Sequence, residues 1–142
     1  MSQLQAIRRF ADLVAGEHVI ISRSAEGWGS GMFDQHMRVD IPFDLSEEDE
    51  NDRLFREDFV NRCPLAQEFS DITLSLLHEI GHQFNREAYI LFDAKEYNKA
   101  TGAEHFKLYP EVVATDWAIE WLQKPKHRKQ AKTFEKEFFG YE

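Results

Sequence analysis

Residues 65–84 carry two rows of apolar side chains, and both rows repeat at the spacing of an α-helix. Leu65, Phe69, Ile72 and Leu76 form one row, and Leu74, Leu77, Ile80 and Phe84 form the other. A helix that is apolar on two sides is buried on two sides, so the rest of the chain must pack around it. Pro64 suits the first position of this helix, where a backbone N–H would be unpaired anyway. The sequence therefore predicts a central helix whose histidines lie in the interior.

The composition supplies the material for such a core and limits the classes of function. The chain has 142 residues, of which 42% are hydrophobic, and this length predicts one domain over residues 1–142. The single cysteine, Cys63, excludes an intrachain disulfide and fits a reducing compartment. No stretch has the apolar run of a signal peptide or a membrane span, so we expect a cytoplasmic protein with no membrane partner. The net charge of −9 counts against a nucleic-acid partner, because phosphates would be repelled.

The N-terminal part of the chain is predicted to contain one helix and two strands. Residues 3–15 have apolar residues at helical spacing, and Gly16 is expected to end this helix. Residues 18–22 and 37–43 have the composition of strands, and they flank a glycine-rich segment, residues 27–31, that is predicted to be a turn. The alternation of apolar and charged residues within 37–41 predicts a half-buried strand, and Pro42 would suit an edge position or a strand end.

Two further helical segments are predicted on either side of the central helix. The strongly charged residues 46–58 indicate a solvated loop that leads into a short helix, because the ligand spacing of an EF-hand is missing. Residues 109–122 have an apolar stripe at helical spacing, and Pro110 suits the start of that helix. The basic run at 124–129 is expected to be a solvated helix flank. Strands and helices in separate segments predict an α+β fold.

His78 and His82 lie four residues apart on the central helix, with Glu79 between them. Positions i and i+4 share one face of a helix, so the two imidazoles can bind one cation. Glu79 lies about 100° further round the helix, where its carboxylate can reach a water on the metal without being a ligand. This HExxH arrangement supplies two zinc ligands and a general base. Burying two histidines and a carboxylate together is costly unless a cation pairs with them, so we predict a zinc site.

A catalytic zinc site takes a third protein ligand and leaves a fourth position for water. Glu111, near the start of the predicted helix 109–122, is the candidate that the sequence favours. Ala114 and Ala118 lie on nearly the same face and would let two helices approach closely. The helix dipole alone also favours a glutamate in a first turn, so the spacing of the alanines carries the assignment. His105 is the rival candidate, and it would make a three-histidine site.

The two helical segments together resemble the ImmA/IrrE-type metallopeptidases. The segments are ITLSLLHEIGHQF, residues 72–84, and EVVATDWAIEWLQKP, residues 111–125. The family has HELGH after a short apolar run and then a helix of the form E-x-E-A-(N/D)-x-F-A-x-x-L-L-x-P. Aligned on Ala114, Glu111 falls on the third metal ligand of the family. The resemblance covers about residues 68–125. The chain departs from the family at Thr115, because the family has Asn or Asp at this position. The nearest acid is Asp116, one residue later.

The resemblance implies a zincin-like fold, in which the helix bearing HExxH packs against a small β-sheet and a second helix brings the third ligand. It implies an intracellular zinc-dependent peptidase with a narrow protein target such as a transcriptional repressor, and it fits a phage or mobile-element origin. Zinc would be held by His78, His82 and Glu111, and Glu79 would act as general base on the zinc-bound water. His105 and Tyr109 are candidate donors to the oxyanion.

Some roles and functions stay open from the sequence alone. Asp116 could orient a metal ligand or could be a surface carboxylate, and residues 37–41 could bind an extended substrate as an edge strand. One alternative function is a zinc-binding interaction module without catalysis, and another is a metal-dependent hydrolase of a non-peptide bond. A third is a SprT-like protease with His105 as third ligand, although the acidic chain fits a DNA-linked role poorly. Glu79 distinguishes the peptidase from the interaction module, because a purely structural zinc site needs no general base beside the metal.

Overall fold

The computed structural model describes residues 1–46, 48–90, 100 and 102–140. Residue 47 of the charged segment, and residues 91–99 and 101 within the span of the resemblance, lie outside the described residues. The α-helices are α1 (Gln3–Ala15), α2 (Glu50–Arg62), α3 (Asp71–Phe84), α4 (Glu87–Ile90), α5 (Tyr109–Leu122) and α6 (Pro125–Phe139). The strands are β1 (Val19–Ser24), β2 (Gly29–Phe33) and β3 (His36–Pro42), and 3₁₀ turns span Pro64–Glu68 and Gly102–Lys107. The described part of the chain is therefore an α+β protein.

The three strands form a mixed sheet in the order β1-β3-β2. β1 runs parallel to β3, with Val19 opposite Met37, and β2 runs antiparallel to β3, with Gly31 opposite Arg38. Residues 37–41 are not an edge strand, because β3 has a neighbour on each side, and Pro42 stands instead at the strand end. Its alternation is nonetheless as expected, since Met37, Val39 and Ile41 are buried and the residues between them are not.

The glycine-rich segment is also different from its prediction, because residues 29–33 form strand β2 and not a turn. The turn is made by Asp34 and Gln35, whose φ angles of 49° and 66° suit a two-residue hairpin. At Gly31 in β2, a Cβ would lie 2.9 Å from the Arg38 guanidinium, the flexible end of that side chain. The glycine thus marks a close approach of the Arg38 side chain to the backbone of β2.

The central helix begins later than its apolar rows predict. Pro64 starts a separate 3₁₀ turn, and α3 begins at Asp71 with Ser70 as its N-cap. The Ser70 side chain accepts a hydrogen bond from the backbone N–H of Thr73, and the backbone N–H of Ser70 donates to Glu135 on α6 at 2.8 Å. These bonds fix the start of the helix. As predicted, α3 is buried, with most of its residues from 72 to 83 shielded from solvent.

The remaining helices enclose α3 and the inner face of the sheet in one hydrophobic core. Phe10 of α1 stacks on Phe134 of α6 with ring centroids 4.5 Å apart. α2 is longer than the short helix predicted, because its buried Phe55 and Phe59 hold it to the core. The basic run at 124–129 contains one partly buried side chain, His127, whose ring stacks on Trp121. In the ranges that the structure describes, no helix has the length and apolarity to cross a bilayer.

Helices α3 and α5 make an especially close contact. A Cβ on Gly81 would lie 2.6 Å from the carbonyl oxygen of Ala114. The two helix backbones are therefore in contact at a position where each helix has a small residue. Ala114 and Ala118 are fully buried, which is the close approach that the sequence predicted for them. This contact places the first turn of α5 beside the histidines of α3.

Candidate metal centre

His78 and His82 lie on the buried side of α3, and their ring centroids are 4.5 Å apart. The spacing of four residues brings both rings to one face of the helix. Together with Glu79, they offer ligand atoms that all lie within 4.8 Å of one another. This group could hold a metal ion. The sequence predicts the two histidines as ligands, but it predicts Glu79 as a base beside the metal and not as a ligand.

Glu111 projects from the first turn of α5 into the same place. Its Oε2 atom lies 3.0 Å from Nε2 of His78 and also contacts Nε2 of His82. All three side chains are buried. The structure therefore brings together the three residues that the sequence predicts as ligands, and two imidazole nitrogens converge on a single carboxylate oxygen.

The pKa values of this cluster show that it favours positive charge beside an ionised carboxylate. Burial raises the pKa of Glu111, but hydrogen bonds from His105, His78 and His82 lower it, so that it lies well below its usual range. Burial lowers the pKa of His82, yet its hydrogen bond to Glu111 and the charges of Glu79 and Glu111 leave it raised overall. A divalent cation could take the place of the protons that these groups share.

The other ring nitrogen of His78 is held by Thr115. The Nδ1 atom lies 2.9 Å from the Thr115 hydroxyl, which is buried on α5 one turn after Glu111. This bond fixes the ring so that Nε2 faces Glu111. This role of Thr115 is not among the predictions from the sequence, although its position four residues after Glu111 places it on the same helix face.

Asp116, the other candidate for orienting a ligand, lies away from the cluster. Its side chain is 62% exposed and forms an ion pair with Arg62 of α2. The helix turns by about 100° per residue, so a carboxylate one position after Thr115 points towards solvent. Of the two roles considered from the sequence, Asp116 has the surface one.

His105 also reaches the cluster, from the 3₁₀ turn Gly102–Lys107. Its Nε2 contacts Oε1 of Glu111, whereas His78 and His82 contact Oε2. Tyr109, the second candidate oxyanion donor, is 53% exposed and is absent from the described residues that line the site. The structure thus brings His105 to the cluster of His78, His82 and Glu111, and it does not bring Tyr109 there.

A cleft of about 1600 Å³ opens over these residues. Its walls include the turn before β2, strand β2 itself, the start of α2, and α3, and it is lined by His78, Glu79, His82 and Glu111. Glu79 is half-buried at the cleft, and within the described ranges its carboxylate has no hydrogen bond or ion pair. Because β2 is the edge strand at this cleft, the predicted substrate-binding role of residues 37–41 is wrong.

Comparisons with protein-family models, with curated proteins and with solved structures find no match to this chain. The resemblance carried by residues 72–84 and 111–125 therefore stays a prediction from motifs.

Proposed function

We propose that the protein is a zinc-dependent peptidase with a zincin-like fold, of the kind that the ImmA/IrrE resemblance implies. The observation that carries this proposal is the convergence of His78 and His82 on one oxygen of Glu111 inside an open cleft. Two imidazoles and one carboxylate are a donor set that catalytic zinc sites use, with a further position left for water or substrate. In this proposal His78, His82 and Glu111 hold the zinc.

Each residue around the cation has a separate task in this mechanism. Zinc, when bound, supplies Lewis acidity that activates a water and polarises a carbonyl group. Glu79 borders the same cleft, so its carboxylate can accept a proton from the attacking water and return it to the leaving amine. Thr115 keeps His78 in the orientation that binding requires.

The shape of the cleft supports a peptide substrate over a small molecule. Its volume of about 1600 Å³ exceeds the roughly 300–1,000 Å³ of ordinary small-molecule pockets. Strand β2 runs along it as the edge of the sheet, and an extended peptide can add to such an edge by main-chain hydrogen bonds. A narrow intracellular protein target, such as a repressor, is the part of the proposal that rests on the resemblance.

His105 favours one second candidate, a zinc-binding module without catalysis. If His105 joined the other three ligands, four protein donors would close a tetrahedral site and leave no position for water. Such a site would only tie α3, α5 and the 3₁₀ turn together. The contacts argue for the catalytic set, because His105 faces Oε1 of Glu111, the oxygen that His78 and His82 do not contact. The same contact makes His105 a weaker candidate for third ligand in a SprT-like site.

Zinc content and cleavage by single variants test the proposal. We expect one zinc per chain in the parent and in Glu79→Gln, and loss of zinc in His78→Ala and Glu111→Ala. With a mixture of unstructured peptides as the probe, Glu79→Gln should lose cleavage while it keeps zinc. Retention of zinc by both ligand variants would place the ligands elsewhere, and cleavage at the parental rate by Glu79→Gln would refute the mechanism.

A further inference from the structure

The two oxygens of the Glu111 carboxylate face different groups. Oε2 lies 3.0 Å from Nε2 of His78 and also contacts Nε2 of His82, whereas Oε1 contacts Nε2 of His105. The Glu111 side chain is only 5% exposed, so both oxygens depend on protein groups or on a bound cation for their partners. His105 therefore binds the oxygen that the two histidines of α3 do not contact.

His105 reaches this oxygen from a third element, the 3₁₀ turn Gly102–Lys107. The backbone N–H of Leu108, the N-cap residue of α5, donates to the carbonyl oxygen of His105 at 3.2 Å. The next residue after His105, Phe106, packs its ring against Phe55 of α2 with centroids 5.7 Å apart. These contacts anchor the backbone of His105 to α2 and to the start of α5.

The second oxygen of Glu111 matters because a carboxylate can bind a cation through one oxygen or through both. If both oxygens bound zinc together with His78 and His82, protein atoms would fill all four positions of a tetrahedral site. If Oε2 alone bound zinc, one position would stay free for water or substrate. The group that satisfies Oε1 therefore decides whether the site is open.

We propose that His105 is a positioning residue for Glu111, which holds Oε1 away from the cation so that Glu111 binds zinc through Oε2 alone. The Nε2–H group of His105 donates to Oε1, and the fourth position of the site stays open to the cleft. An oxyanion donor would need the same Nε2–H group, so the two roles exclude each other at that nitrogen. The inference rests on the proposed function, because it requires zinc at His78, His82 and Glu111.

Two variants with side chains of similar length separate the hydrogen bond from the packing of the ring. His105→Gln retains an N–H donor, and His105→Met has none. In zinc titrations against a chromophoric chelator, we expect His105→Met to bind zinc about 10- to 100-fold more weakly than the parent. His105→Gln should stay within about threefold of the parent, because its amide can still donate to Oε1.

Glu104→Ala is the matched control, since Glu104 is an exposed residue of the same turn, and it should keep the parental Kd for zinc. Equal Kd values for His105→Met and His105→Gln would overturn the inference, whether both variants lose affinity or neither does. His105 would then act through its packing and not through a hydrogen bond to Glu111.

Crystals of the zinc-loaded parent give a readout that does not depend on a variant. We expect one Glu111 oxygen on zinc and the other within hydrogen-bond distance of Nε2 of His105. In zinc-loaded His105→Met, both Glu111 oxygens should bind the ion, because the second oxygen has lost its donor.

Two Glu111 oxygens on zinc in the parent would overturn the inference and leave the proposed ligands in place. Zinc bound by Nε2 of His105 would also overturn it, and it would favour the zinc-binding module without catalysis. Failure of the parent to bind zinc would instead contradict the proposed metal centre, on which the inference rests.

Discussion

Thr115 determines the direction in which His78 presents Nε2, the nitrogen that we propose binds zinc. Its hydroxyl lies 2.9 Å from Nδ1 of His78, so Nε2 faces Glu111 across the cluster. Partners of this kind are often as important for metal affinity as the ligands themselves, because a rotated imidazole cannot reach the cation. The same contact pairs a buried ring nitrogen that would otherwise lose its hydrogen bond to water.

Thr115→Val is expected to weaken zinc binding by about 10- to 100-fold, because valine keeps the shape of threonine and removes the hydroxyl. The measurement is a zinc titration in competition with a chromophoric chelator. Thr115→Ser, which retains the hydroxyl, should restore most of the affinity. Asp116→Asn is the matched control on the same helix, and its zinc affinity should equal that of the parent because Asp116 contacts Arg62. Equal losses in Thr115→Val and Asp116→Asn would contradict this account of the cluster.

The proposed metal ligands and the proposed base differ in how directly the sequence indicates them. His78, His82 and Glu79 follow from spacing alone, because an α-helix fixes their relative directions. Glu111 needed the additional argument from the small residues after it. The role of Thr115 and the contact of His105 with Glu111 depend on how α5 and the 3₁₀ turn sit against α3. No local pattern in the chain contains that information.

At the scale of elements, the contact between α3 and α5 positions the cluster. Gly81 of α3 faces the carbonyl oxygen of Ala114 of α5, and it lies between His78 and His82 in its own helix. A glycine within a helix costs about 1 kcal/mol relative to alanine, so its presence here needs a reason. The close backbone approach that brings Glu111 to the histidines is that reason.

Gly81→Ala should destabilise the protein by about 1–3 kcal/mol and weaken zinc binding as well. The added Cβ would lie 2.6 Å from a backbone oxygen, which cannot move without shifting α5, and this shift draws Glu111 away from His82. Urea denaturation measures the first effect and zinc titration the second. Gly29→Ala is the control: its Cβ would meet Asp40 at 3.5 Å, an ordinary contact. A stabilised Gly81→Ala variant with parental zinc affinity would show that the helices do not depend on this contact.

The limits of an element can be predicted best where a single glycine or proline determines where it begins or ends. Residues 3–15 and 109–122 are helices with the predicted limits, since Gly16 and Pro110 mark the ends. The hairpin of β2 and β3 was missed, because its glycines indicate a turn when the chain is considered alone. In the structure both glycines lie in β2, where Gly31 faces the Arg38 side chain and Gly29 faces Asp40. The sequence places Pro64 at the start of α3, but the helix begins after Ser70. The hydrogen bonds that Ser70 and Thr73 donate to Glu135 of α6 accompany this later start, and such contacts cannot be seen in the local sequence.

At the scale of the whole molecule, the fold places a buried cluster at the floor of an open cleft. One core contains apolar residues from α1, α2, α3, α5 and α6 and from β1 and β3, and α3 lies within it. The α+β class could be predicted from the order of the segments. The strand order could not, because β3 pairs with β1 and β2 through contacts that are distant in sequence. The strand that borders the cleft is therefore β2, which the sequence alone did not suggest.

The central claim is that side chains from α3 and α5 bind one zinc ion while a further position stays open. Anomalous diffraction at the zinc absorption edge, from crystals of the zinc-loaded protein, tests it most directly. The account predicts one strong peak within about 2.0–2.2 Å of His78 Nε2, His82 Nε2 and a Glu111 oxygen, with a water completing the coordination. A peak elsewhere, no peak, or a fourth protein ligand in place of the water would contradict it.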